Sequence, residues 1–275
     1  MRIAVRWESS YRYSQGVRLL HTELRVIPAD GFGQRRINAT LTLSPEAPLH
    51  QLRDGFGNAY HHVDFIQEID EIHLALDAEV ETEQPSEHSE PTPLMRHLFL
   101  APTLRSPFDR AVTELCEGVP QNLDPIATGE AIASLLHERF GFEVGTTDVG
   151  STALDLLEAG HGVCQDFAHL MLAALRMRGI PARYVSGYLA PHVGEAATPA
   201  SHAWVQLLGP AGWHGLDPAN DTQQDGRYVV TAIGRDYDDV PPVRGAFTGS
   251  AAEHWSTMVR VRSESGEQHQ EQQQQ

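Results

Sequence analysis

Apolar and polar residues alternate through much of the first third of the chain. Ile37, Ala39, Leu41 and Leu43 recur at every second position, as do Leu74, Leu76, Ala78 and Val80. Period two marks half-buried antiparallel strands. Strand-like runs also fall at 2–7, 22–27 and 60–66. The segment Asp54-Gly55-Phe56-Gly57-Asn58 has turn chemistry, because Gly and Asn accept positive φ. About five or six short strands predict a small antiparallel β-sandwich over residues 1–84. His61 and His62 are adjacent, so on a strand their rings point to opposite faces. The pair is therefore read as structural, not as a metal site.

The pattern then changes. Residues 85–93, PSEHSEPTP, hold three prolines and no large apolar side chain, and they open a linker placed at 85–106. Helical spacing follows at 107–117 and 124–139, with Ile132, Leu135 and Leu136 on the apolar stripe. A short helix is expected after Ser151, a suitable N-cap. Strand patterns dominate after the segment GHGVCQDFAHLMLAALRMRGIPARYVSGYL, which ends at Leu189, and run to about 262. Residues 107–262 thus read as a second, α+β unit. The last stretch, 263–275, is polar and Gln-rich, the composition of a disordered tail.

Composition narrows the function classes. The 275 residues include 37 acidic and 20 basic ones, for a net charge of −17. That length supports one large core or two modest ones. The acidic balance argues against a nucleic-acid partner, which demands clustered Lys and Arg. No apolar run reaches the roughly 18 residues of a membrane span. The start, MRIAVRWESSYRY, lacks the apolar stretch and cleavage site of a secretory signal. A cytoplasmic location is the expectation. Cys116 and Cys164 are too few for a disulfide framework and are expected as free thiols.

Cys164 has the more suggestive setting. Gly160 and Gly162 precede it, and Phe167, Ala168, Met171, Ala174 and Leu175 share its helical face. Gly179 and Pro181 end the helix. Cys164 then lies in the first turn, where unpaired N–H groups and the positive end of the helix dipole favour an anion. A thiolate is such an anion, and the same N–H groups can hold the oxyanion formed when sulfur attacks a carbonyl. Cys116, inside RAVTELCEG, has none of these features and reads as structural.

A nucleophile needs a base. His169 is five positions along the helix from Cys164, about 140° around the axis, and faces away. His161 sits on the loop before the helix. His202 is better placed. In SHAWVQLL, Ala203, Val205 and Leu207 alternate with His202, Trp204 and Gln206, and GPAG then WHGLDP complete a hairpin signature. A register pairing Leu208 with Trp213 sets His202 diagonally beside Asp217; a wider loop sets them directly opposite. Both put His202 and Asp217 on one face, with His214 on the other. A carboxylate there fixes the imidazole tautomer and stabilises the imidazolium. Asn220 is the alternative orienting group.

Three ordered motifs, GVCQDFAHLMLAALRMRGIPARYVSGYL, SHAWVQL and GWHGLDPAN, resemble the transglutaminase-like superfamily. More closely, the chain is similar to bacterial transglutaminase-like proteins described as cysteine proteases. GRDYDDVPPVRGAFTG is typical of that group, and HTELRVIP and DGFGNAYHHVDF resemble its N-terminal β region. The resemblance implies a papain-like, transglutaminase-like α+β core in which a helix bearing Cys164 packs on an antiparallel sheet bearing His202 and Asp217. It implies thiolate attack on a peptide or protein amide, a thioester, and transfer to water or an amine, without a cofactor. Gln165 stands where eukaryotic transglutaminases have Trp, and reads either as an amide that helps polarise the carbonyl or as a solvent-facing first-turn residue. Trp204 is read either as a wall of the cleft or as plain packing. Asp166 complements the helix dipole. Asp236, Asp238 and Asp239 read as a solvated loop, because EF-hand spacing is missing. Two other readings compete: a catalytically inactive binding module of the same fold, and a zinc site on Cys164, His202 and Asp217.

Overall fold

The computed structural model describes residues 1–83, 90–144, 150–192 and 201–263. The first part holds β1 (Arg2–Leu24), β2 (Gln34–Ser44), β3 (His50–Arg53), β4 (Ala59–Phe65) and β5 (Ile69–Thr82). Next come helices α1 (Pro93–Leu98), α2 (Arg110–Leu115) and α3 (Pro125–Arg139), then β6 (Gly141–Phe142), α4 (Ala153–Ala159) and β7 (His161–Gly162). Helix α5 (Cys164–Met177) leads into β8 (Ala182–Leu189), β9 (Ser201–Gly209), β10 (Gly212–Asp217), β11 (Thr222–Gln223) and β12 (Tyr228–Gly234). A 3₁₀ turn at Tyr237–Asp239 precedes β13 (Val243–Thr248) and β14 (Glu253–Ser263).

The long strand β1 organises the first sheet, whose order is β2-β5-β1-β4-β3, with β13 and β14 also on β1. Its first half lies between β5 and β14, and its second half between β4 and β13. The switch falls where the register against β5 slips between Arg12 and Val17 and where Leu19 takes a positive φ of 50°. Trp7 and Leu74 from one end and Leu20 and Phe65 from the other join a single apolar cluster. The outcome is one curled antiparallel sheet, where the alternation alone suggested a sandwich of short strands. The reason lies in residues 8–21. Ser9 takes a core position there, and the buried Tyr13, Val17 and Leu20 are spaced by four and three, not two.

The chain returns to this sheet at its end. Strands β13 and β14, expected up to residue 262 with the 107–262 unit, pair with β1 instead. Val259 and Val261 alternate with Arg260 and Arg262, a pattern that announces a strand but not its neighbour. Residues 264–275 of the expected tail lie outside the described residues, as do residue 84 and 85–89 of the expected linker. From residue 90 the linker stretch is built structure. Thr92 caps α1 through its side chain, accepting from the Met95 N–H, and Pro93 occupies the first turn, where a missing N–H costs nothing. Phe99 then buries against Leu208 and Trp213.

The second sheet has the order β11-β10-β9-β8-β12, antiparallel throughout. Phe167, Leu170, Met171 and Ala174 of α5 share a core with Tyr184, Val205, Leu207 and Leu216 of this sheet and with Ile132 and Leu136 of α3. Arg176, only 2% exposed, anchors the far end of α5. Its guanidinium donates to the carbonyls of Phe99, Ala182 and Arg235 and to Ser106 Oγ. Helix α4 starts one residue later than expected. Thr152, not Ser151, is the N-cap, paired with Asp155 in a capping box.

The two sheets are joined through side-chain amides. Gln34 donates to the Val230 carbonyl at 2.9 Å and accepts from the Val230 N–H at 2.8 Å. Asn58 does the same with Ile233, at 2.7 and 2.9 Å. Asp54 fixes Asn58 for this task by bonding both its backbone and side-chain N–H groups. Two amides thereby satisfy the outer edge of β12 as a neighbouring strand would. Among the described residues no helix is long and apolar enough to cross a membrane.

Candidate active site

The approach to Cys164 is set by local backbone chemistry. Gly160 ends α4 in the left-handed conformation, at φ 80°. His161 and Gly162 then form a short parallel pair with Gly141 and Phe142. Gly162 runs so close beneath Asp166 that a Cβ would come within 2.7 Å of its carboxylate oxygen. That carboxylate accepts the Val163 N–H at 2.8 Å, closing the helix start that Val163, with no side-chain acceptor, leaves open. Cys164 is the first residue of α5 and is half-buried, packed against the core of the second unit. Its neighbour Gln165 is buried, not a solvated first-turn residue.

The base and its partner come from the β9–β10 hairpin. Trp213 pairs with Leu208 and Leu216 with Val205, the first of the two registers considered above. Asp217 ends β10 and reaches His202 diagonally: Nε2 donates to Oδ2 at 2.6 Å. With Nε2 so engaged, Nδ1 is the ring nitrogen left for the sulfur. Burial alone would favour neutral imidazole. The hydrogen bonds to Asp217 and then to Cys164 outweigh it, and the His202 pKa is pushed up to about 10.

Asp217 is fully buried and held by more than the imidazole. Its Oδ2 also accepts from Asn220 Nδ2 at 2.7 Å and from the Tyr228 hydroxyl at 2.8 Å. Its Oδ1 accepts the Ala219 and Asn220 backbone N–H groups at 3.0 and 3.3 Å. Burial works to raise this carboxyl, but His202, Asn220 and Tyr228 hold it below the usual carboxylate range. Asn220 therefore supports Asp217 and does not replace it. Trp204 lies fully buried behind the imidazole, with ring centroids 6.1 Å apart and planes 20° from parallel. Its Nε1 donates to Gln224 Oε1 at 2.9 Å, as Gln206 Nε2 does at 2.8 Å.

The competing histidines are elsewhere. His169 is fully buried, and its Nε2 accepts the Tyr237 N–H at 3.2 Å. Burial, then Arg105, depress its pKa to about 3. His161 lies 3.8 Å from the Glu143 carboxylate. His214 pairs with Leu207 on β10, out of phase with Asp217. Cys116 is 4% exposed, and burial pushes its thiol up. The acidic loop is not solvated as expected. Arg105 holds Asp238 through two bonds of 2.9 and 3.0 Å, Arg235 holds Asp239, and Asp236 is buried. Tyr228 and Gln224 escaped the sequence reading. Tyr228 opens an apolar strand, and nothing in its spacing places it beside a carboxylate on β10.

Comparisons with known proteins agree with this architecture. Residues 113–218 match the transglutaminase-like superfamily, and residues 3–81 match the bacterial transglutaminase-like N-terminal region. An uncharacterized protein of Mycobacterium tuberculosis is 33% identical over 89% of this chain and 87% of its own length. One of Mycobacterium leprae is 39% identical over 59% of each chain, so the match spans about three-fifths of that relative. A protein-glutamine gamma-glutamyltransferase of Pseudomonas aeruginosa is 33% identical, over 32% of this chain and 15% of its own. A crystal structure titled "Putative Cysteine Protease from Cytophaga hutchinsonii" superposes with a TM-score of 0.78 at 20% identity, covering 95% of this chain and 90% of that one. The chain belongs to the transglutaminase-like superfamily, with the bacterial transglutaminase-like N-terminal region preceding its core.

Proposed function

We propose that this protein is a cysteine-nucleophile amide hydrolase or acyltransferase acting on peptide or protein amides. One observation carries the reading: a fully buried Asp217, saturated with hydrogen-bond donors, holds His202 as an imidazolium that also bonds Cys164 at a helix start. A binding module has no use for a charge relationship that costs this much desolvation.

The Cys164 sulfur attacks the carbonyl carbon of the amide. The developing oxyanion is met at the N-terminus of α5, by the Cys164 backbone N–H and the positive end of the helix dipole, with the Gln165 side chain beside them. His202 passes its proton to the leaving amine as the C–N bond breaks, and a thioester remains on Cys164. Water or a second amine then attacks the thioester carbon. His202 takes its proton, and the sulfur leaves as thiolate. Throughout, Asp217 keeps the imidazole oriented and compensates its charge.

Incubation with a peptide library, followed by mass spectrometry of the intact protein, tests the reading. An acyl adduct on Cys164 that hydroxylamine removes is the expected result, and it disappears in Cys164→Ala. The formation of no adduct with any peptide pool, together with unchanged peptides, would overturn it. Adding a primary amine separates the two outcomes: the amine is found joined to peptide products in a transferase and is not incorporated by a hydrolase.

A further inference from the structure

The outward face of the first sheet carries a second cluster of chemically capable side chains. Its inward face is apolar: Leu20 and Leu24 of β1 and Val63 and Phe65 of β4 are all buried in the core. The alternate positions therefore point away, and three of them converge. His21 lies directly across from Asp64 in the β1–β4 pair, and His62 is two residues before Asp64 on the same face. His21 Nδ1 donates to one Asp64 oxygen at 3.0 Å, and His62 Nε2 donates to the other at 2.8 Å. The two imidazole centroids are 4.1 Å apart with planes 54° from parallel, so the rings are in contact but do not stack flat. One ligand atom from each residue lies within 4.8 Å of the other two.

We infer that His21, His62 and Asp64 form a binding site for a divalent metal ion of the zinc class. Two imidazole nitrogens and a carboxylate oxygen suit a borderline ion better than calcium or magnesium, which prefer oxygen alone. Tetrahedral zinc with ligand bonds of about 2.0–2.2 Å needs donor atoms about 3.3 Å apart, close to the contacts already made through Asp64. On binding, each neutral imidazole keeps its proton but moves it to the far nitrogen, Nε2 of His21 and Nδ1 of His62. The nitrogen now facing Asp64 becomes the ligand. A fourth position is left to water. The adjacent histidines at 61 and 62 do not act as a pair. His62 finds its partner across the strand, where no sequence spacing would reveal it. Such an ion would pin the second half of β1 to β4, the half that follows the register slip.

The test uses tag-free full-length protein carrying Cys164→Ala, which removes thiol–zinc chemistry at the other site. Titration calorimetry with zinc, and melting with and without zinc, are measured for this protein and for its His21→Ala, His62→Ala and His61→Ala derivatives. Expected are stoichiometric binding with a raised melting temperature, an affinity loss of about 100-fold or more for His21→Ala and His62→Ala, and no change for His61→Ala on the opposite face. The three histidine derivatives should melt alike without metal, which separates lost ligation from lost folding. No zinc binding by the Cys164→Ala protein, or equal binding by all four proteins, would overturn the site.

Discussion

The Tyr228 hydroxyl and the His202 imidazole donate to the same oxygen of Asp217, at 2.8 and 2.6 Å. Tyr228 also shares a hydrogen bond with Thr222 at 2.8 Å, so its hydroxyl is fixed from two sides. It touches neither the sulfur nor the expected substrate and is a positioning residue. Tyr228→Phe removes one donor from a buried carboxylate, a loss of about 1–3 kcal/mol in folding stability. With less support, Asp217 holds its charge less firmly, and the acidic limb of the kcat/KM profile moves to higher pH. A purely structural role for Tyr228 would lower stability and leave that limb in place.

Replacing Asp217 separates charge from shape. Asp217→Asn keeps the volume but not the charge compensation, and kcat falls by about 10³–10⁴, the scale seen when a triad loses its orienting carboxylate. Asp217→Ala adds the cost of leaving a buried imidazolium unpaired, about 3–5 kcal/mol of stability unless the ring gives up its proton. Urea titration of both variants checks the order, with Asp217→Ala the less stable.

Thiol labelling compares the two cysteines within one molecule. Cys116 is almost fully buried, and burial pushes its thiol up, whereas Cys164 is half-buried and bonded to His202. Iodoacetamide should modify Cys164 more than about tenfold faster than Cys116 at neutral pH. The preference should shrink in His202→Ala. Equal rates for the two thiols, read by peptide mapping, would remove the basis for a nucleophile at position 164.

Stability should depend on pH in a window set by His202. Its ordinary value of 6.5 rises to about 10 in the folded protein. Folding therefore favours the protonated ring, and the contribution is complete below about pH 6.5 and is lost as pH climbs through about 10. Asp217 acts in the opposite sense. Its folded value is depressed, so its contribution is present above its ordinary value near 3.8 and disappears in stronger acid. Melting temperature in His202→Asn should vary less than in the parent between about pH 6.5 and pH 10.

The buried Trp204 offers a stability test that spares the sulfur. Gln224 Oε1 is the acceptor for both Trp204 Nε1 and Gln206 Nε2. Gln224→Ala leaves two buried donors without it, at a cost of about 1–3 kcal/mol each. Chemical denaturation should show a larger loss than Gln223→Ala, since Gln223, the residue before Gln224 at the end of β11, is exposed.

The parts of the site legible in the sequence are those governed by short-range rules. A helix starting at Cys164 follows from the glycines before it and the stripe of Phe167, Met171 and Ala174 after it. His202 beside Asp217 follows from a hairpin whose two strands are nearly contiguous. What escaped depends on pairing between distant segments. Tyr228 meets Asp217 only because β12 joins the sheet beside β8. Residues 243–263 read as strands, yet only the open side of β1 decides which sheet receives them. The prolines around position 90 suggested a linker, because composition does not distinguish a helix N-terminus from an extended spacer.

Gln34 and Asn58 make the first sheet a chaperone in place for the second. Expressed alone, the half that bears Cys164 would present the bare backbone of Val230 and Ile233, an invitation to self-association and insoluble product. Removing both amides in the whole protein, by Gln34→Ala with Asn58→Ala, would expose the Val230 N–H and both Ile233 groups, leaving only the Val230 carbonyl covered, by the Ala29 N–H at 2.9 Å. The yield of soluble protein from the Cys164-bearing half should therefore fall when the N-terminal region is left out, a difference that expression of the two forms side by side would read.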